Sequence, residues 1–284
     1  MTQRLSRRRI LGLGAATALT GCAYPTLLEP RWLETTQTRV PVQGHSAARA
    51  RVLHLSDLHA SPAVPWSLIE DAVDTGLAGK PDLICLTGDF ITDRLETDTA
   101  RYVTILRRLS AAAPTFAVLG NHDGGSWATR RGGHFDHRYV ERLVEDSRIE
   151  LLHNRSRRLD LPQGRLSLAG VGDYWSYEVD AQRALQDASP SLTTLVLCHN
   201  PDAKDLLRFH EWHLMLCGHT HGGQIIVPFD GPRYAPVSDK RYVSGLNAFG
   251  SRHIYTTRGV GNILGVRFGC RPEVSLLDVP LLGA

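Results

Sequence analysis

Five short clusters of side chains able to bind metal punctuate the chain: Asp57-Leu58-His59, Gly88-Asp89, Gly120-Asn121-His122-Asp123, His199-Asn200 and Gly218-His219-Thr220-His221-Gly222. Taken singly, each is ordinary. A histidine after a strand is usually a turn or core residue, and Gly-Asp is a common turn pair. Independent turns, however, have no reason to deliver carboxylate, imidazole and amide groups in this succession. Such groups are the donors with which proteins hold divalent transition metals.

Each cluster directly follows an apolar run, and the C-terminal ends of strands are where an open α/β sheet presents its ligand sites. The β-rich runs are Arg51–Ser56, Leu83–Thr87, Thr115–Leu119, Leu166–Val171, Thr193–Leu197 and His213–Leu216. Helical patterns intervene near Trp66–Leu77, Thr97–Ala111, Arg138–Asp146 and Asp202–Phe209, and this alternation predicts a layered α/β domain. After Gly218 the helical patterns fade, and short runs at Tyr242–Val243, His253–Thr257 and Glu273–Val279 suggest a β-meander on the same core. Residues 23–50, with Pro25, Pro30, Pro41 and Gly44 and no sustained period, read as a linker. The main domain is expected over 51–279, with 280–284 as a tail, and no repeat or composition shift after Arg51 marks a second domain.

The 284 residues carry 32 Lys+Arg against 29 Asp+Glu, a formal charge of +3. Four of the basic residues, Arg4, Arg7, Arg8 and Arg9, fall in residues 1–22, which hold no acid, so the remainder is 28 against 29, or −1. A near-neutral body gives no electrostatic basis for coating a polyanion, and a nucleic-acid partner is not expected. Arg7-Arg8-Arg9 followed by the small, apolar run Gly12–Leu19 reads as a signal segment, too short to span a bilayer comfortably. The arginine pair resembles a twin-arginine export signal, which would make the export machinery a partner. Leu19-Thr20-Gly21-Cys22 resembles a lipobox, in which Cys22 would carry the lipid. The expected location is exported, periplasmic or on the cell envelope, attached to the membrane through the N-terminus. Cys85, Cys198 and Cys217 lie in apolar runs, and the cysteine spacings fit neither a zinc knuckle nor a disulfide framework.

The ordered set of clusters resembles the calcineurin-like metallophosphoesterases over about residues 51–279 and includes each of that superfamily's signature motifs. Gly218–Ile225, His199–Asp202 and the late Arg267-Phe268-Gly269-Cys270-Arg271-Pro272-Glu273-Val274 segment are similar to the branch of bacterial exported or membrane-associated phosphodiesterases. The resemblance implies a four-layer αββα sandwich with two mixed β-sheets. It implies one divalent ion held by Asp57, His59 and His221, a second by Asn121, His199 and His219, and Asp89 bridging them. Four imidazoles with oxygen ligands and no thiolate favour Mn, Fe or Zn over Ca or Mg. The implied reaction is hydrolysis of a phosphodiester by a hydroxide held on the ions, with His122 turned to the phosphate as the catalytic imidazole.

Some relatives orient that histidine with an acid three residues after the bridging Asp, where this chain has Thr92. Asp93 and Asp123 are both open candidates for the role. Thr92 also excludes the metal-binding tyrosine that purple acid phosphatases place at this position. The Gly- and Arg-rich insertion Gly124–His137 lies beside the site in sequence, so Arg130 and Arg131 are candidate phosphate contacts, and His134 and His137 could join them. Asn200, Thr220 and Gln224 are expected to support the ligands. Two alternative functions remain. One is a pyrophosphatase of the UDP-2,3-diacylglucosamine type in lipid A synthesis, a member of the same branch, with a lipid-linked rather than a small substrate. The other is a non-catalytic metal-binding lipoprotein.

Overall fold

The computed structural model describes residues 23–41, 48–92, 94, 98–189 and 191–282. Two six-stranded sheets pack face to face. The first has the order β1 (Glu34–Arg39), β12 (Glu273–Pro280), β2 (Arg49–Leu55), β3 (Leu83–Thr87), β4 (Thr115–Val118) and β5 (Glu150–Leu151). The second runs β10 (Gly245–Phe249), β11 (Arg252–Thr256), β9 (Leu214–Cys217), β8 (Thr193–Leu197), β7 (Gly164–Gly170) and β6 (Arg155–Leu161). Both sheets are mixed, because β12 runs antiparallel to β2 in one while β6 and β10 run antiparallel to their neighbours in the other.

Strand periodicity divides the apolar residues between layers. Val52, Leu83, Cys85, Val118 and Leu277 point between the sheets, where they meet Leu168, Leu195, Leu197 and Leu216. Their sequence neighbours Leu53, Ile84, Leu86 and Ala117 point outwards onto helices α1 (Trp66–Ala78), α2 (Thr99–Ala112) and α4 (Arg138–Asp146). On the opposite side, Ala169, Val196 and Met215 meet α5 (Ala181–Leu185) and α6 (Lys204–Leu207), together with Trp212. Strands buried on both faces must read as continuous apolar runs, and the chain shows such runs here. The result is the four-layer αββα arrangement, with two mixed sheets.

Four expectations are corrected. Residues 23–50 are not a plain linker: Tyr24–Arg31 form helical turns and Glu34–Arg39 form β1, paired in parallel with β12. This strand, Glu-Thr-Thr-Gln-Thr-Arg, has no apolar residue to announce it. Polar contacts hold it instead: Thr36 donates to Glu273 at 2.5 Å and Arg258 donates to Glu34 at 2.8 Å. The final strand does not continue a meander but crosses to the first sheet between β1 and β2. The start of the supposed tail is packed, with Leu281 buried and its N–H donating to Ala48. Tyr242 sits in a 3-10 turn rather than a strand. The signal segment and Cys22 lie outside the described residues, among which no helix is long and apolar enough to cross a membrane.

Candidate metal centre

Strands β2, β3 and β4 of one sheet, and β8 and β9 of the other, end at one place, and their loops interlock. The Asp57 N–H donates to Gly88 O, the His59 N–H to Asp89 O, and the Gly218 N–H to His199 O, all within 3.0 Å. His199 Nδ1 donates across the sandwich to Thr87 O at 2.7 Å, tying the second sheet to the first. To turn their side chains inwards, Asp57, His59, Asp89, His219 and His221 all adopt left-handed backbone, with φ between 46° and 69°. Each such residue costs about 1–2 kcal/mol, which the surrounding hydrogen bonds must offset. Gly120 and Gly218 are required by contact: a Cβ on the first would strike the Asp89 carboxylate, and on the second the Ser56 hydroxyl and the Asp57 carboxylate.

Two groups of ligand atoms converge, Asp57 with His59 and His221, and Asp89 with His199 and His219, all of them buried. Within the first, His59 Nε2 lies 3.2 Å from His221 Nε2, and His221 Nε2 lies 3.4 Å from Asp57 Oδ1. Within the second, His199 Nε2 is 3.2 Å from both Asp89 Oδ2 and His219 Nδ1. Asp89 Oδ2 is also 3.5 Å from His59 Nε2, so one carboxylate oxygen stands between the groups. Its other oxygen, Oδ1, accepts the His122 N–H at 2.9 Å. Three of the four far ring nitrogens are engaged as metal-ligating histidines require, His199 with Thr87 O, His219 with Pro236 O at 3.1 Å, and His59 with the Thr92 hydroxyl at 2.9 Å, while His221 Nδ1 is buried without a partner. Thr92 is thus a support for His59.

The electrostatics keep donors available. Burial pushes His59 and His221 down to about 3 and holds His219 well below its ordinary value, so these imidazoles are neutral. Burial opposes ionisation of Asp89, but the charges of His199 and His122 and its bond to His199 hold it well below the usual carboxylate range. His199 is raised correspondingly: burial lowers it, and Asp89 more than reverses that. Asn121 Oδ1 is buried without a hydrogen-bond partner and its residue lines the same cavity, so it suits a further oxygen ligand. These donors fit divalent cations: four imidazoles, two carboxylates and an amide oxygen, with no thiolate among them.

A cavity of about 740 Å3 opens over Asp89, Asn121, His122, His219 and His221. His122 is buried, its ring edge-on to His59 at 5.1 Å and to Trp127 at 4.8 Å. The Asp123 carboxylate is occupied elsewhere. It accepts from the Gly120 and Phe90 N–H groups, each at 2.8 Å, and so ties the β3 and β4 loops together. Asp93 lies outside the described residues. Arg131 lines the cavity, its guanidinium 4.6 Å from the Trp127 ring centre. Arg130 does not reach it but lines a neighbouring cavity of about 510 Å3, because the two residues straddle the end of α3 (Gly125–Arg130). His134 stacks on Tyr139, and His137 pairs with Glu178 at 3.0 Å, so both brace the insertion. Asn200 caps the turn at Pro201, Thr220 braces Val243 O and the Gly222 N–H, and Gln224 lines the cavity.

Sequence reasoning missed Trp127 and Trp175, which stack 5.3 Å apart and form the wall between the two cavities. Trp175 also meets the His219 ring edge-on at 4.1 Å. The available signal was positional: Asp173-Tyr174-Trp175 follows the Leu166–Val171 run, a sixth strand end with no metal-binding motif of its own.

A two-sheet sandwich with paired ligand clusters at the strand ends defines a metallophosphoesterase, and residues 50–223 match the calcineurin-like phosphoesterase family. The chain belongs to that family and is a hydrolase acting on phosphoester bonds, with a site that fits a dinuclear centre. It is 43% identical to phosphodiesterase YaeI of Escherichia coli, over 97% of this chain and 99% of that one. It is 31% identical to the uncharacterized metallophosphoesterase YkuE of Bacillus subtilis, over 98% of each. It is 25% identical to the UDP-2,3-diacylglucosamine pyrophosphatase LpxG of Chlamydia trachomatis, over 88% and 90%.

Proposed function

We propose that the chain is a phosphodiesterase in which Asp57, His59 and His221 hold one divalent ion, Asn121, His199 and His219 a second, and Asp89 bridges. The observation that carries this is Asp89 Oδ2, within 3.5 Å of a histidine of each group. Two divalent ions held there, Mn, Fe or Zn, would polarise the phosphoryl oxygens and lower the pKa of a water. The chain's own groups do the rest. His122 lines the cavity with Asp89, and its ring would protonate the departing oxygen. Arg131 gives the cavity a cation for a phosphate oxygen, and Trp127 holds it there.

The similarity to YaeI supports a diester substrate. The pyrophosphatase reading has the weaker likeness to LpxG and one structural support, the apolar cavity wall of Ile225, Ile263 and Leu264, which suits a lipid-linked substrate. The basic, apolar N-terminus supports export through the twin-arginine route and attachment to the membrane, through a lipid on Cys22 or the segment itself. The test is hydrolysis of paired aryl phosphodiester and phosphomonoester substrates by the full chain, apo and reloaded with Mn, alongside metal analysis. Metal-dependent cleavage of the diester over the monoester is the expected result. Two bound ions with neither ester cleaved would sink the diesterase reading and turn attention to pyrophosphates.

A further inference from the structure

The late Arg267–Val274 segment forms no part of the ligand set, yet it joins the N-terminus to the mouth of the cavity. The Arg267 N–H donates to Pro25 O at 2.8 Å, and the Tyr24 ring lies edge-on to Phe268 at 6.4 Å. Phe268 bridges to Ile225, which lines the cavity beside Leu264. Beyond Ile225 the chain makes a tight turn, closed by Val227 and Gly231, with Phe229 near its tip. The segments so joined carry exposed apolar side chains: Leu28 is 60% exposed, Leu264 73%, and Phe229 fully exposed.

Phe229 is the telling residue. Its φ is 67°, a conformation that turns ordinarily give to Gly, Asn or Asp. A bulky aromatic there bears backbone strain and meets water on all sides, so the fold gains nothing from it. Isolated apolar residues on a surface need no explanation, but exposed apolar residues gathered on segments that meet at a cavity mouth mark an interaction site.

The occupant follows from where the described chain begins. Leu19, the end of the apolar N-terminal run, precedes Tyr24 by five residues, a reach of at most about 18 Å at roughly 3.5 Å per residue. Cys22 is closer still. Whatever holds the N-terminus in a membrane therefore keeps Tyr24, and the segments that meet it, within that reach of the bilayer. We infer that Leu28, Phe229, Leu264 and Phe268 form a docking face for a lipid bilayer, which seats the mouth of the metal-centre cavity at the membrane surface. The inference rests on the membrane attachment proposed above.

The test uses the full chain with vesicles of phosphatidylethanolamine and phosphatidylglycerol. An environment-sensitive fluorophore is placed by Phe229→Cys, or at the exposed Asp74 on α1 by Asp74→Cys as a control. The four described native cysteines are buried, and the wild-type chain treated with the same dye measures any labelling contributed by Cys22. Turnover of a soluble aryl diester by each labelled protein shows that it is folded and tests the functional reading independently. Expected is flotation with the vesicles, a blue shift with a several-fold intensity gain at position 229, and no change at position 74. Flotation without a response at 229 overturns the docking face while leaving attachment intact. No flotation overturns both attachment and docking. A response at 229 that rises with protein concentration, without lipid, assigns the face to a second copy of the chain and overturns the inference.

Discussion

His199 and His219 face each other, Nε2 to Nδ1 at 3.2 Å, while the far nitrogen of each ring is committed to a backbone carbonyl, Thr87 O and Pro236 O. A carbonyl only accepts, so each far nitrogen must be the N–H. Without a cation Asp89 holds a proton on His199; once that proton leaves, the facing nitrogens are two lone pairs directed at one another. A cation between them converts that repulsion into coordination, and Asp89 Oδ2, 3.2 Å from His199, supplies the compensating charge.

Removing one of the pair should therefore remove one ion. His219→Ala is expected to reduce bound divalent metal from two per chain towards one, measured by elemental analysis after dialysis against Mn. Chelation of the wild type should lower thermal stability, since a ligand present at about 100 times its Kd contributes about 2.7 kcal/mol. An unchanged melting temperature on chelation would argue that the site does not hold metal in solution.

His122 separates chemistry from metal binding. Its backbone N–H holds Asp89 Oδ1 in any variant, but its ring lies in the cavity. His122→Ala is expected to keep the wild-type metal content and lose about 10²–10⁴-fold in kcat on an aryl diester. Turnover equal to wild type would remove His122 from the mechanism.

Gly218 opens the Gly-His-Thr-His turn where a side chain has no room, between Ser56 and Asp57. Neither neighbour can withdraw freely, because both Asp57 oxygens accept the His219 N–H, at 3.1 and 3.0 Å, and the Ser56 hydroxyl donates to Thr87 O at 3.2 Å. Gly218→Ala should cost about 1–3 kcal/mol from overpacking and weaken the ion at Asp57. Denaturant unfolding and a metal titration measure the two effects separately, and wild-type values in both would refute the steric argument.

His137 and Glu178 give a pH signature away from the ligands. Burial lowers the His137 imidazole, but its bond to Glu178 and that charge more than compensate, so its pKa is raised above the ordinary 6.5. A raised histidine contributes stability that is full below the unfolded value and is lost as pH rises through the folded one. Buried His54 acts oppositely: burial depresses it to about 3, and its contribution fades as pH falls below 6.5. The difference in melting temperature between apo wild type and Glu178→Gln cancels the His54 effect. It is expected to shrink above pH 6.5, and a pH-independent difference would discount the ion pair.

The sequence alone determined the ligand types and their order, because each sits at the end of an apolar run that could only be a buried strand. It determined the layered α/β class for the same reason, since period and burial are local properties of a segment. Strand β1 was invisible, because Glu34–Arg39 has no apolar face and its pairing depends on Glu273 and Arg258 more than 200 residues away. Arg130 and Arg131 are equivalent as letters, and only the end of α3 decides that the second faces the metal-centre cavity. Trp127 and Trp175 become a shared wall only when the loop after β7 is folded against the insertion. Chemistry that resides in a residue's own functional group is legible in one dimension. Cavities, walls and edges are relations between segments distant in the chain, and packing of the two sheets is what brings those segments together.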